Sequence, residues 1–264
     1  MFGVTFIETL RRHWWQIVWW GSGIAVLGFY TTSIIQDVDM LKQYAEMVKN
    51  IKPGLLQIFG IKDAAALTTP EGFISFAFFS YSLLVLAVFG VMAGLNITSN
   101  DEETGIMDMV LSMPVSRWSI IVEKFAAYVV IAAGIIAVSY AGLMMGISSS
   151  TLELNTARIT DSTINMLPSI LLVMAVTLFT GTLARRRSTA IAISAVFVVA
   201  SYFINSLGSA ASGTLADSLR FVSFFNYYDN SGVMTNGLNI ANIAILLVVT
   251  MFLVAGSLWF YRRR

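Results

Sequence analysis

The 264-residue chain contains no cysteine, which excludes a disulfide framework, thiolate metal ligation and thiol catalysis. It has one histidine, His13, set between Arg12 and Trp14, a position that reads as a membrane–water boundary rather than a ligand site. A metal site would therefore need clustered carboxylates. The one acidic triplet, Asp101 to Glu103, reads better as the start of a helix; no metal is expected. Charged residues are scarce at 12%, against about 25% in soluble domains. The net charge of +1 comes with no basic stripe, so a nucleic-acid partner is excluded. No Gly-x-x-x-x-Gly-Lys-[Ser/Thr] loop is present to cradle phosphates. The nearest lookalike, Gly54 to Lys62, has the wrong spacing and continues into Asp63. His-Glu-x-x-His and Gly-x-Ser-x-Gly are absent, and Met107 stands where a Glu-Glu protease motif would need arginine. The chain is not expected to be an enzyme or to hold a nucleotide itself.

What the chain does have is apolar length. Hydrophobic residues make up 57% of it, and the mean hydropathy is +0.77. A helix needs about 20 mostly apolar residues to cross a bilayer. Six segments qualify: Trp14–Ile35, Phe73–Ile97, Phe125–Ile147, Ile164–Leu183, Ser188–Leu207 and Ile240–Tyr261. The first is too long for the roughly 7–15-residue core of a signal peptide, and no small-x-small cleavage pattern follows it, so it is read as a retained span. The fourth and fifth are separated only by Ala184 and Arg185 to Arg187. Three arginines are too costly to bury at mid-membrane and force a hairpin. The expected fold is an all-α membrane protein, a single domain over residues 1–264 with six transmembrane helices.

Six spans put both termini on one side, and positive charge marks that side. Of the 16 Lys and Arg residues, ten lie with the termini (Arg11, Arg12, Arg117, Lys124, Arg185 to Arg187, Arg262 to Arg264). Both termini are thus expected in the cytoplasm, in a multi-pass protein of the cell membrane. The six tryptophans fall near span ends, as interfacial anchors do. Phe2, Phe6, Ile7 and Leu10 with Arg11 and Arg12 predict an elbow helix lying along the inner surface, against membrane lipid. Between the first two spans, Val38, Leu41, Ala45, Val48 and Ile51 recur at helical spacing, and Pro53-Gly54 ends that small outer helical segment. Gly90-x-x-x-Gly94 and Gly142-x-x-x-Gly146 allow close helix approach, here read as packing within one subunit. Small polar residues inside spans — Ser80, Ser82, Ser201, Tyr202 and Asn205 — either line a substrate path or bond neighbouring helices.

Residues 98–124 carry the most specific signal. Asn100 followed by Glu103 is a capping-box pattern, and the acidic triplet suits the positive end of a helix. Ile106, Met109, Val110 and Met113 form one apolar stripe, Pro114 ends it, and Arg117 and Lys124 mark the return to the membrane. A helix that merely covers lipid headgroups is the plain alternative, but such helices carry Lys and Arg on the polar face, and this one is acidic.

The run Glu102 to Phe125 closely resembles the cytoplasmic signature of the type-two ABC exporter permeases. The matching positions are Glu102, Glu103, Thr104, Gly105, Leu111, Ser112, Pro114, Ser116, Arg117, Glu123 and Lys124. Many relatives carry Arg or Lys where this chain has Thr104. Pro53-Gly54, Phe59-Gly60 and Pro70-Glu71-Gly72 also look like the antibiotic-exporter branch. The resemblance implies that this segment is a coupling helix docking into a separate ATP-binding cassette ATPase subunit, with Glu102, Glu103, Gly105, Ile106, Met109, Pro114 and Arg117 at the contact. It also implies a second permease copy, in a homodimer or heterodimer, with ATP and magnesium held by the partner ATPase. The expected function is efflux of a hydrophobic or amphipathic, drug-like substrate from the cytoplasm. The competing expectation is a non-transporting membrane scaffold or sensor that binds a partner through the loop at 99–124.

Overall fold

The computed structural model describes residues 3–34, 38–49, 51, 55–56, 67–98, 117–150, 154–184, 186–211 and 215–263. Among the described residues there are helices and no strand. In chain order they are α1 (Val4–His13), α2 (Trp15–Ile34), α3 (Val38–Lys49), α4 (Pro70–Ile97), α5 (Arg117–Ser148), α6 (Thr156–Leu183) and α7 (Arg187–Ala210). They continue through the short α8 (Leu215–Leu219), α9 (Phe224–Tyr228) and α10 (Asn230–Asn236) to α11 (Ile240–Arg263). Helices α2, α4, α5, α6, α7 and α11 carry stretches long and apolar enough to cross a membrane. They are the six expected spans.

Local chemistry explains where several elements begin. Helix α6 starts two turns before the apolar run because the side chain of Asn155 accepts from the amides of Ala157 and Arg158, which satisfies donors that a helix start leaves open. Pro168 sits inside α6, where neighbouring helices shield the backbone it disturbs. Helix α4 opens on Thr69, whose hydroxyl accepts from Gly72, with Pro70 in the first turn. Its second turn, Ser75–Ser80, is π-helical. Several polar residues within the spans bond back to their own helices. Thr32 donates to the Gly28 carbonyl at 2.9 Å, Ser139 to Ile135 at 2.7 Å and Thr177 to Val173 at 2.9 Å. This back-bonding keeps a hydroxyl in an apolar medium without an orphaned donor.

Helix α6 is the centre of the bundle: 72% of its span residues are buried, against 28% for α2 and α7 and 22% for α11. It packs against α4, α5, α7 and α11, while α2 lies along α5. Both glycine motifs serve these seams, as the sequence reading expects. A Cβ on Gly94 would stand 2.6 Å from the Met174 carbonyl oxygen on α6. The second motif faces α2 in the same way at Gly142 and Gly146. The amphipathic helix expected between the first two spans is α3, which buries Leu41 and Val48; the Pro53-Gly54 stop lies outside the described residues. The chain from 215 to 239 folds back against the bundle end that carries the 148–155 connection, as three short helices and one 3-10 turn, Arg220–Val222.

Candidate functional site

The coupling-segment residues Glu102, Glu103, Gly105, Ile106, Met109 and Pro114 lie outside the described residues. What flanks them is clear. Helix α4 ends at Ile97 and α5 begins at Arg117, both at the end of the bundle where α1 sits. There Glu123 is buried, at 5% exposure. One carboxylate oxygen accepts from the Ser119 hydroxyl at 2.7 Å and the other from the Phe6 amide of α1 at 3.1 Å. Gly3 and Thr5 also present their amides to it. Glu123 thus caps the first turn of α1 from a different helix, offsetting orphan donors with a negative charge at the positive end of the helix dipole. Replacing Glu123 by alanine is expected to cost about 1–2 kcal/mol, the usual loss for a removed cap. Glutamine, which keeps an acceptor, should recover part of it. Thermal unfolding of the detergent-solubilised protein, together with proteolysis within α1, measures both.

Along the last turns of α4 and the first half of α7, the two helices leave a groove of about 300 Å³ between them. Ala87, Val88, Val91, Met92 and Leu95 line it from α4, and Ile191, Ala195, Val198 and Val199 from α7. Its wall is apolar almost throughout, with Arg187 at the end nearest the hairpin that joins α6 and α7. Val88, Met92 and Val199 are about half exposed, so among the described residues these three side chains are not covered. The groove's volume lies at the small end of the roughly 300–1,000 Å³ of small-molecule pockets.

The five polar residues named from sequence for a substrate path divide into two groups. Ser80, Tyr202 and Asn205 meet in one small polar pocket, together with Ser206, Tyr228, Asp229, Asn230 and Ser231. Ser82 is fully buried inside the bundle. Ser201 is also buried, and its carbonyl accepts from the Ser223 hydroxyl at 2.6 Å, which ties α7 to the chain entering α9. None of the five lines the apolar groove. Sequence reasoning missed Asp229 and Asn230, which sit in a connection; Asn230 meets Ser75 across 155 positions of sequence. It also missed the groove, whose residues, Arg187 apart, have no polar mark. Tyr228 is fully buried and burial pushes its phenol well above the ordinary range, so it remains a proton donor, and it donates to the Phe79 carbonyl at 3.3 Å.

Among known families, the model described as "Multidrug efflux system permease Rv1217c, C-terminal domain" matches residues 8–262. No curated protein matches the chain, and no solved structure does.

Proposed function

The chain belongs to the multidrug efflux system permease family that this match defines, and from that premise we propose that it is the membrane subunit of an ATP-driven exporter. A permease of this family is a multi-pass membrane transport protein rather than an enzyme. The finer reading is that ATP is hydrolysed by a partner ATP-binding cassette subunit, which holds the nucleotide and magnesium. The 98–124 segment carries the signature that would receive that partner, and both of its flanks emerge at one end of the bundle. A second six-helix unit, identical or related, completes the pathway. The termini and the arginine-rich hairpin face the cytoplasm, in accord with the positive-inside bias.

The family match across residues 8–262 carries the reading. The α4–α7 groove supports its substrate side: an aliphatic wall with no carboxylate suits a hydrophobic or amphipathic molecule and offers nothing to hold a bare ion. ATP drives transport by favouring one of two packings of the spans. Any molecule in the groove must bind those packings unequally to be moved.

The test is substrate-stimulated ATP hydrolysis by the chain reconstituted with its ATPase partner. Candidate apolar compounds should raise the rate in a saturable way, and Ala195→Trp, which fills the groove with an indole, should cut transport roughly fivefold or more without loss of the partner. If no ATPase co-purifies with the chain, the exporter reading falls and the scaffold reading takes its place. If the ATPase binds but Ala195→Trp transports as well as the wild type, the groove is not on the path.

A further inference from the structure

Helix α3 carries more apolar surface than its packing uses. At 3.6 residues per turn, Leu41 and Val48 share one line along the helix, and both are buried. Met40, Tyr44 and Met47 fall on a neighbouring arc about 60° wide. All three are exposed, Met47 at 73%. Ile51 comes next in that series, past the helix end. It is exposed too, and its amide donates to the Val48 carbonyl at 3.0 Å. Asp39, Lys42, Gln43, Glu46 and Lys49 occupy the remaining side. The helix therefore has a buried line, an exposed apolar edge beside it and a polar face opposite.

The level of α3 decides what meets that edge. Helix α2 has 20 residues, and about 30 Å of length carries the chain from α1 to the opposite end of the bundle. From Ile34 to Val38 is four residue steps, about 14 Å at full stretch, so α3 starts close to where a span ends. Its packing draws it closer still. The Tyr44 ring meets Phe73 edge-on, with centroids 5.7 Å apart, and Val48 packs in a cluster with Leu67 and Phe76. Phe73 and Phe76 belong to the first two turns of α4, itself a span. Helix α3 is thus level with the end of a membrane helix and does not stand above it.

We propose that α3 lies in the bilayer interface at the end of the bundle opposite α1, with Met40, Tyr44, Met47 and Ile51 set among the acyl chains of that leaflet. A helix of this kind sinks its apolar side about 5–10 Å into the boundary between headgroups and acyl chains. Tyrosine, an apolar ring with a polar tip, suits that depth, and flexible methionines adapt to mobile lipid chains. The polar face of α3 carries two lysines and two acidic residues, with Lys42 and Asp39 paired at 2.8 Å. Its net charge is zero, so it selects no anionic headgroup. A free helix needs a basic face to find a membrane; α3 is held there by the chain and by Leu41 and Val48. A second copy of the chain fits the edge less well. Four side chains fall far short of the roughly 20–30 residues a side that a stable protein interface takes. The partner is the apolar layer of the lipid surface, met by insertion and not by charge. This placement rests on the membrane character of the chain and does not depend on the exporter reading.

The chain has no cysteine, so Met40→Cys, Met47→Cys and Glu46→Cys variants of the full chain each take a single spin label. They are reconstituted into phosphatidylcholine vesicles, and collisions of the label with oxygen and with a water-soluble nickel chelate are measured. Oxygen concentrates in an apolar medium and the polar chelate is kept out of it. The oxygen-to-chelate ratio at positions 40 and 47 should therefore exceed that at position 46 by roughly threefold or more. All three side chains are exposed, so no substitution empties a packed site, and positions 40 and 47 test the edge independently. Equal ratios at the three positions, with the chelate reaching each, would place α3 in water and overturn the proposal. Low collision rates with both reagents at 40 and 47 would show that protein covers the edge, which also overturns it. A raised ratio at only one of the two does the same, since the edge would not lie along the lipid.

Discussion

Reversing Glu102 and Glu103 to lysine is expected to abolish transport, by roughly tenfold or more, while leaving the chain folded and inserted. The sequence of the 98–124 segment predicts an amphipathic helix that opens on these two residues. Two carboxylates at the start of an amphipathic helix are stabilised by its dipole, each by about 0.3–1 kcal/mol, so the reversal costs the isolated segment only a modest amount. An interface is more sensitive. Bringing like charges together where a partner surface is complementary costs several kcal/mol and suppresses docking. The expected signature is therefore a split: unchanged expression and thermal midpoint, with ATP hydrolysis by the partner no longer stimulated by substrate. Single reversals should give intermediate losses. Normal transport in the double variant would overturn the proposed coupling role of this segment and leave the family match standing.

The reach of the sequence differs from one feature to the next. The six spans were legible because lipid imposes a length and a composition on any helix that crosses it, and the hairpin at Arg185 to Arg187 followed from the cost of burying charge. Helix ends were less so. The apolar run of the fourth span begins near Ile164, yet α6 begins at Thr156, since hydrophobicity does not register an asparagine cap. The anchor of α1 was hidden for another reason. From sequence Glu123 is only a position of the family signature, and its acceptor role toward Phe6 depends on a contact spanning 117 positions. The π turn at Ser75–Ser80 leaves no compositional trace at all, although it joins the Ser80 hydroxyl, at the polar pocket, to the Ser75 carbonyl. Of the five polar residues in the spans, three converge there and two do not. That choice is made by helix rotation, which residue type alone does not encode.

The second large effect is expected at Gly142. A Cβ there would lie 2.4 Å from Ala25 Cβ and 2.5 Å from both the Cα and the carbonyl oxygen of Ala25. Two of these three contacts are backbone, so no side-chain rotation relieves them; α2 and α5 would have to separate. Overpacking a well-filled seam costs about 1–3 kcal/mol, and more when backbone must move. Gly142→Ala should therefore lower the thermal midpoint clearly, and Gly142→Leu should prevent recovery of monodisperse protein. Gly23 supplies the control, because a Cβ on it meets nothing within 4 Å. Gly23→Ala lies in the same helix pair, replaces the same residue type and gains helix propensity, worth up to about 1 kcal/mol; it should be neutral or stabilising. Ala25→Gly provides a second check as a double-mutant cycle. It removes the Cβ clash but neither backbone contact, so rescue of Gly142→Ala should be partial. Full rescue would mean that the seam opens easily, and no loss in Gly142→Ala would show that α2 and α5 do not pack at this distance. In either case the first and third spans would not form the rigid pair on which a coupled rigid-body shift depends.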